Sequence, residues 1–281
     1  MREQSFSGLG PNGFHRLHYY EWGDKENPRV VLCVHGLTRN GRDFDALARA
    51  LSGEYRVVCP DVIGRGKSSW LSDKTHYGYA QYCADMTALI ARSGARTIDW
   101  IGTSMGGIIG MLMASHNGTP IERMVINDVG PFIPKAALER IKRYVGKDVS
   151  FDSLDEAEAY VRLVSAGFGP LSDEQWRHLT ETLVQPNGDG TLKLIYDPSL
   201  AHAFSGPIND VDMWNIWDNV SCPTLVIRGG ISDLLLTETA EEMTRRGPRA
   251  NMVEFDGIGH APMLMSDDQI GAVKSFLLSD I

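Results

Sequence analysis

The residues whose types and spacing could do chemistry begin with the pentapeptide Gly102-Thr103-Ser104-Met105-Gly106. A predicted strand ends at Ile101 and an apolar helical stretch opens at Met105, so Ser104 lies where a strand turns sharply into a helix. Glycines two positions either side permit close backbone approach at such a turn. The helix start offers free N–H groups to a developing oxyanion. Ser104 is therefore a candidate nucleophile for acyl transfer, and the alternative is a helix-capping serine between packing glycines.

A serine hydroxyl needs a base, normally histidine oriented by a carboxylate. The chain has 8 histidines. His260 lies in the glycine-containing turn 257–262, after the last predicted strand and before the final predicted helix. Such a loop lies at the carboxyl edge of a parallel sheet, as Ser104 does. We therefore predict that His260 is the base.

Two aspartates compete for the role of the orienting carboxylate. Asp233 follows the predicted strand 224–227, and Asp128 ends the predicted strand before it. We favour Asp233, because its strand directly precedes that of His260 and the chain order becomes Ser, Asp, His. Asp128 would then be a turn residue or a helix cap.

The elements that must position these residues alternate along the chain. Short apolar runs that end in Gly- or Asp-containing turns predict buried strands at 29–34, 55–59, 97–101, 121–126, 224–227 and 251–255, with an earlier antiparallel strand at 19–22. Apolar stripes predict helices at 42–52, 79–93, 105–116, 237–246 and 267–278. Alternating strands and helices predict an α/β fold with a mostly parallel sheet and helices on both faces.

One stretch breaks this alternation. Between Pro131 and Pro207 we find no strong strand pattern, and helices are predicted at 135–144, 154–165 and 173–184. The chain is thus expected to divide into a first core part at 1–130, a helical insertion at 131–207 and a second core part at 208–281.

Composition excludes several classes of function. Among 281 residues, Lys+Arg number 27 and Asp+Glu 36, giving a net charge of −9 without a basic stripe. We therefore expect neither a nucleic-acid nor a membrane partner, and no apolar run approaches the ~20 residues of a membrane span. The 4 scattered cysteines and a polar, glycine-rich start without a signal-peptide core predict free thiols in the cytoplasm. No metal-binding motif is seen, and the sequence carries no signal of an oligomeric state.

Taken in order, these motifs resemble the α/β-hydrolase superfamily over nearly the whole chain. The sequence His35-Gly36-Leu37 after a strand is similar to that family's oxyanion loop. Residues 61–68 resemble its D-x-x-G-x-G-x-S loop, residues 102–106 its nucleophile elbow, and Asp233 with His260 its acid and base. With a single glycine after His35, this loop resembles that of the capped branch of the superfamily. The other branch has an H-G-G-G loop at this place.

The resemblance implies an α/β-hydrolase fold with a helical cap inserted after the sixth core strand. It implies that Ser104 is the nucleophile, His260 the base and Asp233 its orienting acid, with the N–H groups of Leu37 and Met105 as the oxyanion hole. The implied activity is hydrolysis of a carboxylic ester through an acyl-enzyme, without a cofactor. The same triad could instead serve carbon–carbon bond hydrolysis, amide hydrolysis or cofactor-free perhydrolase chemistry. A catalytically inactive receptor that uses the same pocket is a third possibility, and the presence of all three triad residues argues against it.

Side chains near the predicted site indicate a small, largely apolar ester as substrate. Residues expected to contact it are His35, Gly36, Phe132, Leu234 and Met263. Further apolar candidates, each also explicable as ordinary packing, are Ile133, Ala261, Phe168, Trp176, Phe204, Trp214 and Trp217.

Overall fold

A computed structural model describes residues 1–279. Its strands are β1 (Arg2–Gly10), β2 (Gly13–Trp22), β3 (Val30–Val34), β4 (Arg56–Asp61), β5 (Ile98–Thr103), β6 (Ile121–Asn127), β7 (Phe132–Ile133), β8 (Ser150–Phe151), β9 (Val184–Pro186), β10 (Leu192–Leu194), β11 (Val211–Asp212), β12 (Thr224–Gly229) and β13 (Asn251–Phe255). Its α-helices are α1 (Asp45–Leu51), α2 (Tyr79–Ser93), α3 (Met105–Ala114), α4 (Lys135–Lys142), α5 (Leu154–Val164), α6 (Asp173–Glu181), α7 (Trp214–Trp217), α8 (Thr237–Met243) and α9 (Asp267–Leu277).

The central sheet has eight strands in the order β1-β2-β4-β3-β5-β6-β12-β13. Strand β2 runs antiparallel to both β1 and β4, whereas the pairs from β4 through β3, β5, β6 and β12 to β13 are parallel. The predicted mostly parallel sheet is confirmed, and so is the early antiparallel strand, which lies within β2. All parallel strands end at one edge of the sheet, and that edge carries Ser104 after β5.

Strand β3 shows why helices cover both faces. Val30, Leu32 and Val34 pack in the hydrophobic cluster that contains the apolar residues of α2 and α3. Val31 and Cys33 point the other way, into a cluster with residues of α1 and α9. Successive side chains of a strand face opposite sides, so an unbroken apolar run demands apolar partners on both.

Strand β1 was not predicted from the sequence. This edge strand pairs only with β2, and nearly all of its side chains are at least partly exposed. A strand with one neighbour and little burial does not need the apolar pattern on which strand prediction relies.

The insertion between β6 and β12 contains α4, α5 and α6, as expected. Its strands were not predicted: β8, β10 and β9 form a small sheet, and β7 pairs with β11. At two or three residues each, they are too short to show a periodicity. The β7–β11 pair joins Ile133 to Val211, slightly beyond the expected end at Pro207. The division into core and cap stays a prediction.

The insertion is bonded to the core at several points. The amide of Gly66 donates to the carbonyl of Ile195 at 2.8 Å, and the amide of Gly259 donates to the carbonyl of Gly167 at 2.7 Å. Gly167 also lies close enough to His260 that a Cβ there would come within 3.1 Å of the His260 carbonyl oxygen. The insertion therefore rests directly on the loop that carries His260.

Within residues 1–279, no helix is both long and apolar enough to cross a bilayer. The same residues contain no cluster of His, Cys, Asp and Glu side chains that could hold a metal ion. Cys33, Cys59, Cys83 and Cys222 are free thiols, as predicted. The cytoplasmic location remains a prediction.

Candidate active site

Ser104 occupies a strained turn between β5 and α3. Its backbone has φ 52° and ψ −116°, a conformation that costs a non-glycine residue of order 1–3 kcal/mol. A Cβ on Gly102 would lie 2.3 Å from the Gly106 carbonyl carbon, and one on Gly106 would lie 1.9 Å from the Val34 carbonyl oxygen. The two glycines are thus required by sterics, which is why their spacing identified the turn.

A continuous chain of hydrogen bonds runs through the site. His260 Nε2 lies 2.9 Å from Ser104 Oγ, and His260 Nδ1 lies 2.8 Å from Asp128 Oδ2. With Asp128 ionised, Nδ1 carries the proton and donates it to the carboxylate, so Nε2 accepts from the serine hydroxyl. A histidine held in this way can take a proton from the serine.

The prediction that Asp233 contacts His260 is wrong. Its carboxylate points into the insertion, where Arg140 of α4 donates to it twice, at 2.5 and 2.8 Å. The Asp233 side chain is 50% exposed, whereas that of Asp128 is 0% exposed. The argument from chain order could not separate the two, because both aspartates follow Ser104 and precede His260.

The fold explains why Asp128 reaches the histidine. Asp128 is the first residue after β6, and β6 lies between β5 and β12 in the sheet. Its backbone is in the left-handed region, with φ 55°, and its carboxylate contacts His260 Nδ1. The Gly229 amide donates to Oδ1 at 2.8 Å and the Ser232 hydroxyl donates to Oδ2 at 2.6 Å. Together with His260 Nδ1, these donors satisfy a carboxylate that no water reaches.

The predicted oxyanion loop lies beside the serine. A Cβ on Gly36 would be 3.7 Å from Ser104 Cβ. Met105 is the first residue of α3, so its N–H has no partner within the helix. Arg65, fully buried, donates to the Leu37 carbonyl at 2.8 Å and reaches Met105 Sδ at 3.3 Å. Arg65 thus contacts both residues that are predicted to supply the oxyanion hole. No sequence signal indicated this role.

His35 cannot contact a substrate, contrary to expectation. It is 0% exposed, its Nδ1 donates to the Gly36 carbonyl at 2.7 Å, and its Nε2 accepts from the Val62 amide at 2.9 Å. Burial lowers the pKa of His35 to about 4, so the ring is neutral at pH 7. His35 therefore supports the loop that carries Gly36 by linking it to the Val62 backbone.

This hydrogen-bonded site lies within a chain that matches the model of the Alpha/beta hydrolase family over residues 31–272. The chain belongs to the α/β-hydrolase family. It is 46% identical to the 3-hydroxybutyrate-oligomer hydrolase of Cupriavidus necator over 277 residues, which cover 95% of this chain and 94% of that one. The predicted superfamily and the predicted hydrolase class are confirmed.

Solved structures agree with the family assignment. A protein of Rickettsia typhi superposes with a TM-score of 0.94 at 34% identity, and the match covers 100% of both chains. An α/β hydrolase of Novosphingobium aromaticivorans gives 0.87 at 36%, covering 98% of this chain and 97% of the other.

Two cavities of the hydrolase meet at Ser104. The apolar compartment, about 510 Å³, is lined by residues that include Tyr82, Met105, Ile108, Ile133, Phe204 and Leu234. The arginine compartment, about 90 Å³, is lined by residues that include Arg39, Asp43, Arg140, Phe168, His260 and Met263. Leu37, Ser104 and Ile141 line both, so the hydroxyl lies at the junction of a larger compartment and a smaller one that contains two arginines.

The predicted contact residues divide accordingly. Leu234 lines the apolar compartment, and Gly36 and Met263 line the arginine compartment. Phe132 lines neither and lies in the β7–β11 pair, so Ile133 takes the expected place. The other candidates that line a compartment are Ala261, Phe168 and Phe204. Trp176 stacks on Phe168, Trp214 packs against Arg246, and Trp217 is fully buried.

Four polar residues of the site were not predicted from the sequence: Arg39, Arg65, Arg140 and Ser232. Arg39 lies beside one loop motif and Arg65 inside the other, which places both near the site but does not indicate what either contacts. Arg140 lies on a polar helix of the insertion and Ser232 beside the aspartate that was favoured, and neither carries a distinctive pattern.

Proposed function

We propose that this protein is a serine hydrolase that cleaves carboxylic esters through an acyl-enzyme, and that short linear esters of hydroxy acids are its substrates. The observation that carries the proposal is the unbroken chain from Ser104 Oγ through His260 to the buried Asp128. Such a chain supplies a nucleophile, a base and the carboxylate that orients the base.

The reaction begins when Ser104 Oγ attacks the ester carbonyl carbon and His260 Nε2 takes the hydroxyl proton. Asp128 stabilises the resulting imidazolium through Nδ1. The carbonyl oxygen becomes an oxyanion bound by the N–H groups of Leu37 and Met105, assisted by the start of α3. The intermediate collapses, the carbon–oxygen bond breaks, and the leaving alcohol takes the proton from Nε2.

Water then completes the cycle. It attacks the acyl carbon while His260 Nε2 accepts a proton from it, and a second oxyanion forms in the same place. When this intermediate collapses, Ser104 Oγ leaves and recovers the proton from Nε2. The carboxylic acid departs and the serine is restored.

The substrate class follows from the shape of the cleft and from the relative. Two compartments either side of Ser104 can hold the two halves of an ester, with the apolar one suited to an acyl chain. The 3-hydroxybutyrate-oligomer hydrolase of Cupriavidus necator, 46% identical, is named for a linear ester of this kind. We therefore place oligomers of short 3-hydroxy acids first among the substrates.

The insertion would act as a cap over this cleft. Ile133 and Phe204 close the apolar compartment, and Arg140 and Phe168 close the arginine compartment. Substrate would be enclosed between the insertion and the sheet edge, where exclusion of water strengthens the interactions that stabilise the oxyanion.

Hydrolysis of the linear 3-hydroxybutyrate dimer by purified protein tests the proposal. Ser104→Ala should lower kcat by on the order of 10⁴–10⁶ and abolish labelling by a fluorophosphonate. Ser115→Ala, at the other end of α3, is the matched control and should retain activity and labelling. A Ser104→Ala protein with more than about a tenth of wild-type kcat would disprove the nucleophile.

A substrate panel separates the ester proposal from other reactions of the same triad. Wild-type protein is compared on p-nitrophenyl butyrate, a vinylogous diketone, an aminoacyl amide and, for peracid formation, acetate with hydrogen peroxide. Faster turnover of either non-ester, or of the peroxide reaction, would replace the proposed chemistry while leaving the nucleophile in place.

A further inference from the structure

The arginine compartment contains a guanidinium with a free end. Arg39 is 8% exposed, and its Nε and Nη2 donate to the two carboxylate oxygens of Asp43 at 2.8 and 2.6 Å. Its remaining nitrogen, Nη1, is buried and finds no hydrogen-bond partner among residues 1–279. A buried charged donor without an acceptor is costly, so its presence beside a cleft points to a ligand.

Arg39 lines the same compartment as the nucleophile, and its guanidinium is held in place. Ser104 and Arg39 both line the arginine compartment, and a Cβ on Gly36 would be 3.7 Å from Ser104 Cβ and 3.8 Å from Arg39 Cγ. Asp43 accepts hydrogen bonds from one edge of the guanidinium, and the centre of the Phe168 ring lies 5.7 Å from Arg39 Cζ. A donor fixed in this way loses little entropy when it binds a ligand.

Two arginines line the compartment, and each is paired with one carboxylate, Arg39 with Asp43 and Arg140 with Asp233. What distinguishes Arg39 is its buried Nη1, which has no hydrogen-bond partner within residues 1–279. The other polar groups of the lining include three tyrosines, and burial raises the pKa of Tyr144, Tyr160 and Tyr196, which keeps them neutral donors. A carboxylate can pair with the free N–H groups of Arg39 through charge-assisted hydrogen bonds.

We propose that Arg39 is a specificity-determining residue that binds the free carboxylate on the alcohol half of the ester. This inference rests on the proposed function. In a 3-hydroxybutyrate dimer the only carboxylate belongs to the alcohol half, two carbons from the ester oxygen. The compartment, at about 90 Å³, is much smaller than the apolar compartment of about 510 Å³, so it suits the short alcohol half of such a dimer.

The direction of cleavage follows. If the terminal carboxylate binds Arg39, the scissile bond is the last ester of the oligomer, and each turnover releases one hydroxy acid from the carboxyl end. From a trimer acetylated at its hydroxyl end, the first small product would be free 3-hydroxybutyrate. Release of the acetylated monomer first would show that cleavage starts at the opposite end, and the assignment would be wrong.

The main test compares kcat/KM for the free-acid dimer with kcat/KM for its neutral methyl ester. Wild-type protein should favour the free acid by about 10–10²-fold, the range expected for one charged hydrogen bond. Arg39→Met combined with Asp43→Asn avoids leaving a buried carboxylate unpaired, and it should reduce that ratio to near one. Arg42→Met combined with Asp45→Asn is the matched control, since this pair lines neither compartment.

The outcomes are separable. A wild type inactive on both dimers and on p-nitrophenyl butyrate would refute the proposed function and this inference together. A wild type that hydrolyses esters without preferring the free acid would refute only the role of Arg39, as would an Arg39/Asp43 variant that keeps the preference. Monomethyl glutarate carries its carboxylate on the acyl half of the ester. If the Arg39/Asp43 variant selectively lost activity on this substrate, Arg39 would bind the acyl half and its assignment to the alcohol half would be wrong.

Discussion

Two loops at the same edge of the sheet each carry an aspartate, and only one of them serves the histidine. The loop after β6 buries Asp128 completely, and two donors reach it from the end of β12 and the loop that follows, the Gly229 amide and the Ser232 hydroxyl. The loop after β12 leaves its own Asp233 half exposed, in an ion pair with Arg140. The surrounding donors, and not the order along the chain, decide which carboxylate contacts His260, and a segment can contribute those donors without contributing the acid.

The difference is energetic as well as geometric. A carboxylate without access to water must be satisfied by protein donors, and those donors fix its orientation. An exposed ion pair on a protein surface contributes at most about 1 kcal/mol and tolerates rearrangement. Asp128 is therefore suited to orient a histidine, and Asp233 to make an adjustable contact between core and insertion.

Replacement of the two aspartates gives the largest expected difference. Asp128→Asn should lower kcat by on the order of 10³–10⁴, because an amide in that place favours the wrong tautomer of His260. Asp233→Asn should stay within a few-fold of wild type. Steady-state hydrolysis of p-nitrophenyl butyrate measures both, and the reverse ranking would restore Asp233 as the acid.

A double variant tests whether Asp233 could take over once released. In an Asp128→Asn background, Arg140→Met frees the Asp233 carboxylate from its partner. We expect no recovery of kcat, because His260 Nδ1 faces the buried site of Asp128. Recovery of even a tenth of the lost activity would mean that the two loops are interchangeable.

Burial also governs the pH dependence of stability, through His35. Its pKa is lowered to about 4 in the folded protein, from an ordinary value of 6.5. The unfolded chain binds this proton first as the pH falls, so the contribution to stability is complete above pH 6.5 and is lost between 6.5 and 4. The loss should approach about 3 kcal/mol.

Urea unfolding at pH 7 and pH 4 measures this loss. The difference in unfolding free energy between the two pH values should shrink in His35→Asn and persist in His116→Asn, a replacement of an exposed histidine. An equal pH dependence in wild type and His35→Asn would show that other groups cause the loss of unfolding free energy at low pH.

Ser232 gives a smaller effect on activity. Ser232→Ala removes one of the donors to Asp128, and kcat should fall by roughly tenfold, the lower end of the range for a hydrogen bond to a charged group. Ser232→Thr retains the hydroxyl and should recover most of that loss. If alanine and threonine behave alike, the hydroxyl does not support the acid.

The smallest effect is on stability at Asp233. Asp233→Asn should lower the unfolding free energy by less than about 1 kcal/mol, and 1 M salt should lower the wild type similarly by screening the pair with Arg140. Urea unfolding at low and high salt measures the change. A loss several times larger would make this contact a principal attachment of the insertion.

The fold was predictable from the sequence where sterics or burial constrain residue type. Gly102 and Gly106 are required by contacts that a Cβ would violate, and β3 must be apolar on both faces, so both features were predicted correctly. Strand β1 and the two- and three-residue strands of the insertion impose no such pattern. The roles of Asp128, His35 and Arg39 depend on which donors and acceptors the fold brings together, and local sequence does not record that.

The antiparallel pairing of Ile133 with Val211 has a consequence for how such enzymes diversify. Entry and exit of the long segment are fastened side by side, so its interior can lengthen, shorten or be exchanged while β6 and β12 keep their spacing. Replacing the segment between β7 and β11 should change which molecules enter the cleft without disturbing the hydrogen bonds among Ser104, His260 and Asp128.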